Sequence, residues 1–415
     1  MYLARTVDLE LDELMAVAPA VALDGPKGVG KTGTAARRAD ALWFLDDPHQ
    51  RALAQADPSF QTATAGTLLL DEWQRLPQVW DTVRRHVDQD APPGRFLLTG
   101  SASPAQGVTT THSGAGRILS LRMRPMAIHE RGITVPTVSL QALLDGSESV
   151  GGTCSLGLRD YIDAITCSGF PGVLSSPERL RVAQLDSYLA RIVDHDLPEQ
   201  GYSVRRPETL RRWLGAYAAA SSTTTSYSRI LDMTTAGDGS QPAKTTTIAY
   251  RDHLSQLWLL DPVPGWSHSR SQFTQLQQAP KHQLADPALA SRLLNLTTAG
   301  LLGPRGAGMA GPLFESLATL SVRVAAQRSQ ARVGHLRTNR GDREIDLVVE
   351  GTDGQVIGIE VKLSATVDDA DVRHLLWLRD QLPDDVVDLV VLTTGTSAYR
   401  RPDGVAVVPL GLLGP

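Results

Sequence analysis

Short apolar runs alternate with helix-like stretches through the first 132 residues: VALDG, TAARRADALWFL, TLLLDE, WDTVRRHV and RFLLTGS follow one another in turn. Alternation of this kind predicts an α/β unit, a parallel sheet covered by helices. A Thr/Ser/Gly stretch, TTTHSGAG, ends it at 109–116. From about 155 to 300 the period changes. Val182, Leu185, Leu189, Ile192 and Val193 recur at helical spacing, as do Tyr250, Leu254, Leu257 and Trp258, so this part reads as helices separated by polar tracts at 220–228 and 234–247.

The glycines and prolines of GPRGAGMAGP, at 303–312, make the clearest linker. Beyond it, Leu313, Leu317, Leu320 and Val324 mark another helix. Strand-like EIDLVVE and VIGIEVK come next, then a helix over 369–382, then VVDLVVLTT and VAVVPL. The pattern therefore predicts a second α/β unit with a core of its own.

Composition narrows the function without naming it. The 415 residues carry 40 Lys+Arg against 45 Asp+Glu, a net charge of -5, so no chain-wide basic surface announces a nucleic acid. Two cysteines, Cys154 and Cys167, support neither a zinc site nor a disulfide framework. The acidic start MYLARTVDLELDELM lacks the apolar core of a signal peptide, and no apolar run reaches the roughly 18 residues of a membrane span. A cytoplasmic protein without a membrane partner is the expectation. Lysine occurs only at 27, 31, 244, 281 and 362, so where it persists a compact ammonium is a candidate requirement.

The stretch DGPKGVGKTGTA places Gly25, Gly30, Lys31 and Thr32 in the spacing G-x-x-x-x-G-K-[ST], after an apolar run and before a helical pattern. Here the backbone from Gly25 through Pro26, Lys27, Gly28, Val29 and Gly30 would wrap phosphates, Lys31 would reach the β and γ phosphates of ATP, and the Thr32 hydroxyl would hold Mg²⁺. Forty residues on, TLLLDEWQ ends a buried strand in two acids. Asp71 would lie by the Mg²⁺, and Glu72 would act as general base on the attacking water. Thr99 and Ser101, ending RFLLTGSAS, suit the γ-phosphate or the lytic water; a capped strand-to-helix turn is the alternative.

The segments LDGPKGVGKT, WFLDDPHQRALAQADP, LLLDEWQRLP, RFLLTGSAS and GAGRILSLRMRPM, in this order, resemble a family of bacterial AAA+-type ATPases known chiefly as predicted ATP-binding proteins. SGFPGVL, LARIVDHDLPE and KHQLADPALASRLL resemble the domain of unknown function that follows the ATPase in that family. The resemblance implies an ATPase domain over 1–132, a helical connecting region over 133–205, a winged-helix-like domain over 206–302 and a PD-(D/E)XK nuclease-like α/β domain over 303–415. It also makes Arg117, in GAGR, a candidate sensor or finger for the γ-phosphate. The insertion TTAGDGSQPAKTTT, ahead of what would be the recognition helix, departs from the pattern and puts DNA reading by that helix in doubt.

In REIDLVVE, Glu344 and Asp346 share one face, and the turn GTDG leads straight into VIGIEVK, which brings Asp346 near Glu360 and Lys362. The order D-x13-E-V-K matches the nuclease-like core, with Glu315 on the preceding helix as a fourth acidic member. Glu315, Asp346 and Glu360 would hold Mg²⁺ or Mn²⁺, and Lys362 would orient the water or stabilise the leaving phosphate. Glu and Lys alternating on an exposed strand face is the competing reading.

Three functions stay open on the sequence. One is an enzyme with two active sites, ATP hydrolysis and DNA cleavage. Another is a nucleotide-driven switch whose C-terminal domain docks DNA or protein without cutting. The third is a slow or structural NTP binder. ATP and DNA are the expected partners, and a homo-oligomer stays open.

Overall fold

The computed structural model describes residues 2–415 except 58, 61, 64, 101–113, 148, 235–242, 268–278, 339 and 340. Ser101, most of TTTHSGAG and the middle of the 234–247 insertion thus lie outside the described residues. The chain packs as two units, one comprising the residues up to Arg124 with Arg191–Arg205 and Asp252–Leu259, the other Pro125–Ala190, Arg206–Arg251 and Leu260–Pro415. Two short downstream segments thus belong to the first unit, a long-range association that composition does not encode.

The first unit runs α1 (Thr6–Met15), β1 (Ala20–Asp24), α2 (Lys31–Ala36), β2 (Ala41–Phe44), α3 (Pro48–Ala56), β3 (Leu68–Asp71), α4 (Gln78–Asp88), β4 (Phe96–Gly100) and β5 (Leu119–Arg122). Its five strands are all parallel, in the order β2-β3-β4-β1-β5. Leu68–Leu70 and Phe96–Leu98 are buried without alternation, as expected of strands covered on both faces. Leu68, Leu70, Phe96 and Leu98 pack with Trp73, Val79 and Val83 in the core. Each such side chain contributes about 1.5–3 kcal/mol on burial. Chain entry into α3 is set locally: Asp47 accepts from His49 N over 2.8 Å and Pro48 opens the helix. Losing that cap would cost about 1 kcal/mol. The parallel run places the ends of β1, β3 and β4 on one edge of the sheet, where open α/β folds bind ligands.

The second unit contains β6 (Val138–Ser139), β7 (Arg332–Arg337), β8 (Glu344–Glu350), β9 (Val356–Val361), β10 (Val386–Thr393), β11 (Tyr399–Arg400), β12 (Ala406–Pro409) and β13 (Leu413–Gly414). Its main sheet has the order β11-β12-β10-β9-β8-β7. β7, β8 and β9 form an antiparallel meander, and the helix Asp369–Gln381 carries the chain over to β10, parallel to β9. That helix buries Val372, Leu375 and Leu378 against Ile345, Val348, Val356 and Val391. It begins on Asp368, whose carboxylate accepts from Ala370 N and Asp371 N.

Two of the quoted middle motifs meet in this unit. The buried Asp286 of KHQLADPALA caps the helix Pro287–Leu293 and also accepts from Ser168 Oγ (3.1 Å) and Gly169 N (2.5 Å) of SGFPGVL. Gly169 passes so near the chain at Met126 that a Cβ there would lie 2.6 Å from the Met126 carbonyl oxygen, which is why the motif needs glycine. Among the described residues, no helix is long and apolar enough to cross a membrane.

Candidate functional site

At the end of β1 the chain turns through Gly25, Gly28 and Gly30, with φ of +154°, +76° and +105°. Such angles favour glycine. At Gly25 the space is closed as well, because a Cβ would lie 2.2 Å from the Met123 carbonyl oxygen. Gly30 then caps α2, whose first N–H groups have no acceptor within the helix and face the loop.

Lys31 is 6% exposed, and its ammonium donates to the carbonyl oxygens of Gly25 (2.7 Å) and Pro26 (2.9 Å). Burial pushes it down to about 8, with Glu72, Asp24 and Asp71 pulling the other way. Thr32 Oγ1 donates to Asp71 Oδ1 over 2.8 Å. Thr99, paired in register with Asp71, donates to the same oxygen. Glu72 follows at φ +50°, a left-handed conformation that turns it out of the strand, and Gln74 Nε2 donates to its carboxylate.

The structure thus brings Gly25, Pro26, Gly28, Val29, Gly30, Lys31, Thr32, Asp71, Glu72 and Thr99 together at one edge of the sheet. Thr99 reaches Asp71, so in this state its hydroxyl holds the carboxylate. Lys27 engages in a way the sequence does not announce. Its ammonium lies 2.6 Å from Asp196 and 4.0 Å from Glu199, which also pairs with Arg75 at 3.0 Å. Both acids come from LARIVDHDLPE, where Ile192–Asp196 forms a single π-helical turn.

Arg117 lies apart from the phosphate loop of its own chain. It precedes β5, and Leu119 at the start of that strand pairs with Val21 near the start of β1, away from the phosphate loop. Its guanidinium instead lies 2.5 Å from Asp88, the last residue of α4. Arg122 lies at the nucleotide edge, in register with Asp24 and with its guanidinium 4.6 Å from the centre of the Trp258 ring, and the buried Arg5 donates to Val29 O of the phosphate loop over 3.0 Å. Burial raises the Asp24 carboxyl, against the opposing pull of a Ser120 hydrogen bond, Lys31 and Arg122. Three strand steps, roughly 10 Å, separate Leu119 from Arg122.

In the second unit, Asp346 sits one residue before the Leu347–Ile359 pair of the β8–β9 hairpin and accepts from Val361 N over 2.9 Å. Glu360 lies 3.3 Å from Lys362, which is 3.8 Å from Asp371. Burial, then the nearby Asp346, raises the Glu360 carboxyl well above the ordinary range. Glu315, on the helix Ala307–Arg328, is raised to about 8 by burial and by Asp346.

The four residues expected there do converge, and a fifth stands among them. Lys281 Nζ lies 2.8 Å from Asp346 Oδ1, 2.9 Å from Glu315 Oε1 and 3.3 Å from Glu344 Oε1, with 1% of its side chain exposed. Burial lowers and these acids raise its pKa, for a net rise. Burial alone would raise Asp346; Lys281 outweighs it and holds the carboxyl below the ordinary range. The scarcity of lysine was the one pointer to this residue.

The donor sets differ in what they fit. Thr32 and Asp71 offer hard oxygens from a hydroxyl and a carboxylate 2.8 Å apart, the chemistry Mg²⁺ takes. Among the C-terminal acids, Glu315, Glu344 and Asp346 already surround the Lys281 ammonium and Glu360 pairs with Lys362, an arrangement that does not fit a divalent ion. Among the described residues, no group of three or more His, Cys, Asp or Glu is arranged to hold a metal.

Residues 17–131 match the AAA domain family. A phosphate loop followed by an acid-terminated strand on a parallel sheet, with this match, defines a P-loop ATPase, and the protein is an enzyme of that class. Residues 158–300 and 310–413 match two domains of unknown function, DUF8612 and DUF4143. Uncharacterized proteins of Mycobacterium tuberculosis and Mycobacterium bovis are each 27% identical over 358 residues, 84% of this chain and 71% of theirs. Among solved structures, a Walker-type ATPase of Pyrococcus abyssi aligns with 14% identity and a TM-score of 0.41, over 69% of this chain and 94% of that one. The ORC2 protein of Aeropyrum pernix aligns with 15% identity and a TM-score of 0.32, over 74% and 93%.

Proposed function

We propose that the chain couples Mg²⁺-dependent ATP hydrolysis in its first unit to DNA docked, without being cut, on its second. The hydrolytic half rests on the phosphate loop, and above all on Thr32 and Thr99 converging on one oxygen of Asp71. Lys31 exchanges the Gly25 and Pro26 carbonyls for the β and γ phosphates. Thr32 and Asp71 would hold Mg²⁺, which supplies charge neutralisation at the β and γ oxygens. Glu72, released from Gln74, takes the proton of the attacking water as the γ-phosphorus bond to the bridging oxygen breaks.

Two observations support DNA as the partner. The order of Glu315, Asp346, Glu360 and Lys362 on a helix, a strand and its hairpin mate agrees with a nuclease-like domain. Ahead of it, the helices Pro207–Ala219, Tyr227–Thr234 and Lys244–Gln256 precede antiparallel bridges Leu260–Leu284 and Val263–Lys281, an arrangement compatible with a winged helix. Docking is favoured over cleavage because Lys281 lies among the acids that a nuclease would use for metal.

ATP turnover by the purified full chain, measured with Mg²⁺ and with duplex, single-stranded or branched DNA, tests the reading. Stimulation by one DNA form, with that DNA left intact, is the expected result. Equal turnover with and without every form would remove DNA from the proposal and leave the ATPase.

A further inference from the structure

Lys281 is placed by its backbone. Its N–H donates to Val263 O (3.0 Å), its carbonyl accepts from Val263 N (2.9 Å), and the neighbouring His282 ring pairs with Thr225 O at 2.6 Å. A lysine ammonium has three N–H donors and no acceptor. Here it faces three carboxylate oxygens, from Glu315, Asp346 and Glu344, at 2.9, 2.8 and 3.3 Å. Two donors of this buried cation are hydrogen-bonded to Glu315 and Asp346, and Glu344 adds a third acid at ion-pair distance, so its charge is balanced within the cluster.

A divalent ion and this ammonium would occupy the same space. Oxygen-bound Mg²⁺ sits roughly 2.0–2.1 Å from each ligand. An ion bridging Glu315 Oε1 and Asp346 Oδ1, the two oxygens that Lys281 Nζ holds at 2.9 and 2.8 Å, would overlap the ammonium. Of the two other acids of the cluster, Glu344 turns its Oε1 to Lys281, while Glu360 lies against Asp346 and pairs with Lys362.

We infer that Lys281 is a built-in cation filling a latent divalent-metal site, so that the intact carboxylate cluster binds no metal and becomes a metal site only when the ammonium is removed. This deepens the docking reading, on which it rests, by naming the residue that separates this domain from a metal-dependent phosphodiesterase. Its test reads metal binding alone, so its failure is distinct from a failure of DNA to stimulate ATP turnover.

The probe is Mn²⁺ without nucleotide, followed by electron paramagnetic resonance and by thermal unfolding, on the full chain carrying Asp71→Asn to silence the phosphate loop. With Lys281 present, no Mn²⁺ attributable to the cluster should bind, and adding Asp346→Asn should lower Tm without changing the Mn²⁺ bound. Lys281→Met, an unbranched side chain of similar length, should gain one Mn²⁺ per chain, bound at least tenfold tighter, with a rise in Tm that Asp346→Asn abolishes. A Lys281→Met protein that folds only with Mn²⁺ also supports the inference. Mn²⁺ binding by the Lys281-containing protein that Asp346→Asn removes would overturn it, without requiring the Lys281 variant to fold. A folded Lys281→Met protein that gains no Mn²⁺ would overturn it equally.

Discussion

Thr32 and Asp71 are joined across 39 residues by a 2.8 Å hydrogen bond that ties the start of α2 to the end of β3. Thr99 donates to the same oxygen from β4, so the carboxylate is aimed by two hydroxyls from two directions. A lost hydrogen bond to a charged group costs about 1.5–3 kcal/mol. Thr99→Val should therefore lower kcat by roughly tenfold or more with KM for ATP little changed, as steady-state ATP hydrolysis will show.

Glu72 and Lys31 should separate chemistry from binding. Glu72→Gln removes the general base and should lower turnover by about 10²–10⁴-fold while ATP still binds. Lys31→Ala should lose ATP binding. Calorimetric titration of ATP beside a turnover assay distinguishes them, and two variants hydrolysing like the parent would end the assignment.

Lys27 is tied to Asp196 and lies near Glu199. With Lys27 40% exposed, such a pair is worth only about 0.5–1 kcal/mol. Freeing the ammonium for phosphate by Asp196→Asn should tighten ATP binding about two- to fivefold, an effect that vanishes in a Lys27→Ala background. An unchanged ATP affinity in Asp196→Asn would reduce the pair to a surface contact.

The two arginines flanking β5 should behave oppositely. Arg117→Ala breaks the exposed Asp88 pair and a long bond to Ala115 O and should leave turnover within about twofold, since an exposed pair contributes about a kilocalorie or less. Arg122→Ala, at the nucleotide edge beside Asp24, should lower turnover more.

His335 in the second unit is fully buried, with Nε2 3.0 Å from Ala279 O, and burial followed by the nearby Lys281 pushes it down from 6.5 to about 4. The folded imidazole therefore stays neutral where the unfolded one takes a proton. Its stabilisation is complete above pH 6.5 and is lost as pH falls toward 4. Between pH 7.5 and 5 the loss is about 2 kcal/mol. Urea unfolding of His335→Gln should show a correspondingly flatter pH dependence over that interval.

The phosphate loop and its acids were legible because G-x-x-x-x-G-K-[ST] and LLLDE are local, and a parallel sheet brings strand ends together wherever they fall in sequence. The hairpin pairing of Asp346 with Glu360 was legible for the same reason, since GTDG leaves little choice of register. Lys281 was not, because 65 residues separate it from Asp346 and a buried ion pair has no periodicity. Lys27 with Asp196 is a second such case, 169 residues apart. The Arg117–Asp88 pair was not legible either, because GAGR marks the approach to a strand without saying what its arginine meets.

The scarcity of lysine makes the chain unusually readable by chemical modification. Of its five lysine amines, Lys31 and Lys281 are buried, whereas Lys244 is exposed and Lys27 and Lys362 are partly so. An amine-acylating reagent followed by peptide mass analysis would therefore sample both candidate sites with very few signals. Labelling at 27 and 362 would follow nucleotide and partner occupancy in the folded protein, and labelling at 281 would register the opening of its second unit.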